Sequence, residues 1–309
     1  RLAGLATQLE DGTATGARDP AFHEPLGLTL AEFLAQAPED IGQLAEVLAG
    51  AHGVSNGAVV AGLVARAALS ERAVLVPAEW CLRGAIETEA LAEPGRPRSI
   101  GVAAGASRED AARRAMLELV ERDAVALWWL GHAPAAPLPL DLEGFAAALG
   151  TLASLREDSH DRRTLLLDIT TDLAIPTVAA LSVDRDNAHL CCGTAARLTY
   201  PEAAEAALFE LCQSEIGLAL AQAKQDAQRE DLLSQDERQM LARAGLFRDE
   251  RFQAQLLPRA SFRLGGCDLP REASGKEIAA HLERLGVPVY LADIGRPDIA
   301  VPVVAAFAP

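Results

Sequence analysis

The chain has 309 residues, enough for one large domain or two modest ones with a sizeable buried core. Half of the residues are hydrophobic, much of that alanine, and aromatics supply only 4%, a balance that favours close helix packing over a β-sandwich. The formal net charge is −16 and only Lys224 and Lys276 are lysines; broad binding to nucleic acid or an anionic membrane is disfavoured, and an anionic ligand must be held locally by arginine, a metal or backbone amides.

A Gly/Asp/Thr-rich opening gives way to Leu28–Ala37, where Thr29 is placed to cap a short helix. Gly53 to Gly57 reads as a turn, and Ala58–Leu69 follows as a helix, with Ala73–Pro77 a short strand and Glu87–Arg98 a polar loop. The strongest helix signal runs from Arg108 to Trp129, with Ser107 at its N-cap and Asp110 three positions on, as in a capping box. Trp128 and Trp129 end it; adjacent helical residues point about 100° apart, so one is expected in the core and the other at a surface or interface. Pro134 and Pro139 break the chain. Ala146–Leu155 reads as helix, Thr164–Ile169 and Thr177–Val183 as strands, and Leu190–Gly193 as a further short strand. Tyr200–Ala223 is the second long helix, opened by Pro201 and Glu202. Residues 224–260 are highly charged and read as a helical or mobile excursion. Ile278–Leu285 then reads as helix, with Val287–Ala292 and Val301–Phe307 as closing strands. The rhythm is mixed α and β, with one-sheet and two-sheet layouts both open.

Common signatures fail. No P-loop, Gly-x-Gly-x-x-Gly or Gly-x-Ser-x-Gly is present, and the six histidines are scattered without a His-x-x-x-His pair. Five cysteines, with Cys191 and Cys192 adjacent and Cys212 on an apolar helix face, do not form a disulfide framework and fit a reducing compartment. No apolar run reaches the roughly 18 residues of a spanning helix, and no signal-peptide pattern opens the chain, so a cytoplasmic protein is expected. Two helices carry chemistry. On the first, Glu118, Glu121 and Arg122 stand at i, i+3 and i+4, and Asp110 and Arg114 extend that face toward the N-terminus. On the second, Glu210 and Gln213 share a face amid Ala207, Leu208, Phe209, Leu211 and Cys212. Carboxylates among apolar neighbours must be paired, hydrated or bound to a cation, and oxygen-rich groups from two helices suit Mg²⁺. A solvated face laced with Arg–Glu pairs is the alternative.

These residues lie in stretches that resemble the YcaO family. Gly101–Trp129, GVAAGASREDAARRAMLELVERDAVALWW, looks like its central motif, with a Gly-containing turn, an acidic pair and then Glu-x-x-Glu-Arg-Asp-Ala. LDITTDLAIPTVAAL (167–181) resembles its strand–turn–strand, Cys191–Glu215 its Gly-led segment ending in Glu210-Leu-Cys-Gln213, and Gly286–Pro309 its closing strand pair. Upstream, the family's Gly-Lys-Gly-like turn and Ser-x-x-Glu-x-x-Glu-Arg helix have as counterparts Ser55-Asn56-Gly57 and Ala65-x-x-Ala68-x-x-Glu71-Arg72, where the lysine, one serine and one glutamate are replaced.

The resemblance implies a mixed α/β (α+β), YcaO-like fold with two related halves around an ATP/Mg cleft, over residues 51–309, preceded by a segment 1–50 of unassigned role. It implies ATP and Mg²⁺ as cofactors, Glu71, Asp110, Glu118 and Glu121 toward the metal, and Arg72, Arg122, Glu210 and Gln213 toward the nucleotide. No residue is assigned as acid, base or nucleophile. The implied activity is ATP-dependent activation of peptide backbone amides, giving azolines or related products in a ribosomally made peptide. The alternatives are a degenerate paralogue that scaffolds or regulates an active partner, and an accessory role in thio-modification of a ribosomal protein. The implied partners are a precursor peptide and a leader-peptide-binding protein, in a homodimer or heterodimer, without nucleic acid or membrane.

Overall fold

The computed structural model describes residues 26–81, 100–139, 145–156, 162–260, 268–296 and 299–309. It divides into two compact units, one of residues 1–119 with 273–309 and one of residues 120–272. The expected polar loop Glu87–Arg98 and the Gly/Asp/Thr-rich opening lie outside the described residues.

The first unit is built on an antiparallel sheet of β1 (Leu26–Thr29), β2 (Val59–Ala67), β3 (Ala73–Pro77), β4 (Val102–Ala104), β9 (Tyr290–Asp293) and β10 (Val303–Phe307). Its strand order is β1-β2-β9-β10-β4, with β3 also paired to β2. Helix α1 (Leu30–Leu34) starts where Thr29 and Glu32 exchange hydrogen bonds in a capping box, as Thr29 promised. Helix α2 (Glu39–His52), which the sequence reading did not single out, has acidic residues in its first turn and ends at Gly53, left-handed at φ 67°. Phe33, Ile41, Leu48, Leu63, Leu75 and Phe307 fill the core of this unit. Tyr290 is stacked on Phe307 and donates its hydroxyl to the Asp40 carboxylate, tying the sheet to α2.

The expected helix Ala58–Leu69 is instead strand β2 and the turn after it. Its alanines and leucines tolerate a helix, but Val59, Val60 and Val64 are β-branched and lose side-chain freedom there. As a strand, the segment gains ladders to β1, β3 and β9 at once. Glu71 therefore sits in the β2–β3 turn, left-handed at φ 57°, and Arg72 leads into β3. Ala65–Arg72 is thus part of a hairpin and not the helix of the family motif to which it corresponds.

The second unit is an antiparallel meander of β5 (Ala136–Pro137), β6 (Arg163–Asp168), β7 (Thr177–Val183) and β8 (Cys191–Ala196). Every residue of β7 is buried, in keeping with its largely apolar sequence. Against one face lie α4 (Phe145–Leu155) and α5 (Tyr200–Asp226), packed with Val178, Ala180, Cys191 and Cys212. Against the other lie Ala179, Leu181 and Leu190 with Ala124, Trp128, Phe247 and Leu256. The charged excursion is largely helical, including α6 (Gln235–Arg243) and α7 (Glu250–Leu256). Helix α3 (Arg108–Trp129) has the bounds read from the sequence, and the division between units falls inside it at Leu119–Val120. As expected of adjacent helical positions, Trp128 is buried, donating its indole N–H to the Leu256 carbonyl, while Trp129 is half-buried against Phe252. Helix α8 (Gly275–Arg284) belongs to the first unit. Among the described residues, no helix is long and apolar enough to cross a membrane.

Candidate functional site

Strand β8 and helices α3 and α5 bring three of the sequence-selected residues of the second unit into one cluster. Gly193 is the reason β8 lies so close to α5: a Cβ there would stand 2.2 Å from the Ala207 carbonyl oxygen and 2.3 Å from the Leu211 nitrogen. Backbone atoms cannot swing aside, so only glycine admits this approach. The next residue, Thr194, uses both of its donors. Its hydroxyl donates to Oε1 of Glu121 on α3 at 2.7 Å, and its backbone N–H donates to Oε2 of Glu210 on α5 at 3.1 Å. One strand residue thereby joins carboxylates from two helices.

Glu121 is 5% exposed. Burial pushes its pKa up to about 7, with the charge of Glu210 adding to the rise, against the lowering by Arg122, the Thr194 hydrogen bond and Arg197. Arg122 approaches the same oxygen as Thr194, Oε1, at 3.1 Å. Among the described residues, Oε2 of Glu121 receives no comparable contact. A buried carboxylate whose neighbours leave its charge undercompensated, with one oxygen to spare, fits a divalent cation. Glu210 and Gln213 lie on the exposed side of α5, one turn apart. Cys192, two residues along β8 from Thr194, has its thiol pushed up to about 12, first by burial and then by Glu210, so it is a neutral wall and not a thiolate nucleophile. It lines a cavity of about 260 Å³ with Trp129, Leu190, Ser214, Met240 and Arg243.

The opposite face of the sheet holds a second carboxylate in a different state. Glu215 on α5 pairs with Arg156 and with Arg162 at 3.3 Å, and accepts a hydrogen bond from Ser182 on β7 at 2.5 Å. Burial alone would raise its pKa, but the hydrogen bonds from Arg156 and Ser182 and the charges of both arginines outweigh it and hold the group below its ordinary value. Glu215 needs no cation. The sequence reading passed over it and Thr194 alike, because the partners of each come from remote strands and neither falls in a spaced motif.

In the first unit the candidates are engaged locally. Asp110 accepts from the Ala106 N–H at 3.1 Å and from Arg114 Nε at 3.0 Å, with Arg113 at 3.7 Å, while Ser107 accepts from the Asp110 N–H. The Ala106 and Arg114 bonds hold its pKa below the ordinary value. Here the Arg-laced face is the form the helix takes. Glu118 is half-buried on α3. Glu71 and Arg72 are exposed in the β2–β3 turn, where Lys276 of α8 pairs with Glu71 at 3.4 Å. Among the described residues, no three His, Cys, Asp or Glu side chains come together to hold a metal. A cation here must therefore draw on one or two carboxylates and complete its shell with water and phosphate, the usual habit of Mg²⁺.

With this geometry in hand, comparison with known proteins is specific. A family profile described as YcaO cyclodehydratase, ATP- and Mg²⁺-binding, matches residues 47–309. Among solved structures, a heterocyclase in complex with substrate and cofactor is 24% identical, with a TM-score of 0.67 over 92% of this chain and 40% of that one. The Escherichia coli microcin synthetase McbBCD complex gives 17% identity and a TM-score of 0.70 over 92% of this chain and 74% of that one. YcaO from Methanopyrus kandleri bound with AMPPCP and Mg²⁺ gives 19% identity and a TM-score of 0.56 over 80% and 63%. At these identities the likeness is one of fold, and the chain spans less than half the length of the first of these proteins. No curated protein matches the sequence. The chain belongs to the YcaO family, whose described ligands are ATP and Mg²⁺.

Proposed function

We propose that this YcaO-family chain binds Mg–ATP through the cluster of Glu121, Arg122, Glu210 and Gln213 and activates backbone amides of a ribosomally made peptide as a cyclodehydratase. The observation that supports this reading is Glu121, a carboxylate 5% exposed whose two contacts both fall on Oε1 while burial raises its pKa to about 7. Glu121 offers Oε2 to the cation, and Arg122 beside it offsets charge on phosphate oxygens. Glu210 and Gln213 hold the nucleotide from α5. Mg²⁺, when bound, supplies charge neutralisation across the phosphate oxygens. For Glu71, Arg72, Asp110 and Glu118 the assignment rests on the family resemblance alone.

In this reaction the peptide amide oxygen takes the γ-phosphoryl group and ADP leaves. A neighbouring thiol or hydroxyl of the peptide then attacks the amide carbon and loses its proton, and phosphate departs with the former amide oxygen as the amide nitrogen gives up its proton and the C=N double bond of the azoline forms. Positioning and charge compensation are what phosphoryl transfer asks of a protein. The neutral Cys192 thiol is accordingly not a covalent participant. A precursor peptide, a leader-binding partner and a dimeric assembly complete the proposal, and the McbBCD complex with pro-MccB17 bound is a structural neighbour in keeping with it.

Calorimetry of ATP binding with and without Mg²⁺ tests the site. The wild-type chain should show Mg²⁺-dependent binding, weakened in Glu121→Gln, which keeps the shape and removes the charge. Wild-type protein with partner and substrate peptide that consumes no ATP above the partner's own rate overturns the enzyme reading. A second reading, a scaffold for an active partner, is favoured by the exposed hairpin position of Glu71 and Arg72 and by the pairing of Glu71 with Lys276. In that case Glu121→Gln leaves partner activity intact.

A further inference from the structure

We infer that Thr194 is a positioning residue that sets the separation of Glu121 and Glu210, and so the geometry with which the chain presents its carboxylates to Mg–ATP. The inference rests on the nucleotide-site reading above and extends it to a residue outside the two helices. Thr194 is 6% exposed, and its two donors are divided between two acceptors. The side chain takes Oε1 of Glu121 and the backbone N–H, on the free edge of β8, takes Oε2 of Glu210. Each bond occupies one carboxylate oxygen and leaves the other for a ligand.

The strand makes this division rigid. Threonine is β-branched, so its hydroxyl is confined to few rotamers. β8 is held in register by β7, with Ala179 opposite Thr194. Gly193 fixes the distance from β8 to α5, because the helix backbone already sits where a side chain would begin. Serine preserves the hydroxyl, valine preserves the shape without the donor, and alanine removes both. All three keep the backbone bond to Glu210, so the variants isolate the bond to Glu121. Hydrogen bonds to charged acceptors are the stronger class, and outer-shell partners of a metal ligand are worth about 10- to 100-fold in metal affinity.

The test measures Mg–ATP affinity by calorimetry and Mn²⁺ binding by electron paramagnetic resonance for wild type, Thr194→Ser, Thr194→Val and Thr194→Ala, with thermal melts to confirm folding. The Val and Ala variants should lose about 10- to 100-fold in metal-dependent affinity, with ATP binding in the absence of metal unchanged. Ser should stay near wild type. If Val fails to fold, Ala carries the comparison. Equal affinity in all four proteins overturns the inference, and so does an equal loss in Ser and Val, which would place the effect in packing. A wild-type chain that binds neither Mg–ATP nor Mn²⁺ overturns the nucleotide-site reading itself, and the inference with it.

Discussion

Each face of the second sheet meets one carboxylate, Glu121 buried and Glu215 half-buried, and the pair behave in opposite ways. Glu215 faces two arginines and a serine, and its charge is more than compensated. Glu121 touches one arginine and one threonine, with Arg197 acting through its charge alone and Glu210 as a like-charged neighbour, and burial leaves it half-protonated near neutral pH. Glu121 is the more deeply buried of the two, yet burial raises the pKa of both, and only around Glu215 do the donors outweigh it. What decides it is the count of donors aimed at each oxygen. A structural ion pair closes its own electrostatics, whereas a ligand-binding carboxylate leaves them open for a cation to complete.

The largest break in this comparison comes from removing charge on the compensated side. Glu215→Gln strands Arg156 and Arg162, both nearly buried, without a counter-ion. It should cost about 3–5 kcal/mol at neutral pH, read by urea denaturation. A loss no larger than that of an exposed pair, about 1 kcal/mol or less, would contradict the contrast.

On the other side the sign reverses. A carboxylate whose folded pKa lies above its ordinary value holds more protons in the folded state than in the unfolded one. Without divalent cation, the stability that Glu121 contributes should therefore be fully present below the ordinary value of 4.5 and be lost as pH rises through about 7. The amount is about 3 kcal/mol from this group. Glu121→Gln should remove that slope and be more stable than wild type at pH 8 in chelator, while binding Mg–ATP less well. Parallel pH–stability curves for the two proteins would show that Glu121 is not the titrating group.

The smallest effect belongs to an exposed Glu–Lys pair of the first unit. Glu71 and Lys276 are both well exposed, so Lys276→Ala should change stability by no more than about 0.5 kcal/mol. A larger shift in the melting curve would mean that the β2–β3 turn depends on that ion pair.

Much of the framework was legible in the sequence because it rests on local signals. The bounds of α3, the start of α5 at Tyr200 and Pro201, the caps at Thr29 and Ser107, and strands β3 and β7 all follow from capping and periodicity. Strand β2 was misread because AVVAGLVARAAL satisfies a helical period as well as an extended one. Its three ladder partners come from residues before it, just after it and more than two hundred positions later. Local pattern does not weigh partners at that range. Helix α2 was passed over because no side-chain cap marks its start at Pro38.

By itself the sequence determined that Glu118, Glu121 and Arg122 share a helix, that Glu210 and Gln213 share another, and that both resemble one family's ligand-holding segments. Helical spacing is a property of neighbouring residues, so a sequence states it outright. Only the tertiary structure decided which of these carboxylates is buried, which is already paired and which has an oxygen to offer. Asp110 is spent on its own helix and Glu71 on a surface turn, while Glu121 meets Thr194 from 73 positions away. Ionisation is set by desolvation and by whatever charges the fold brings within reach, and those belong to the packed chain and not to any segment of it.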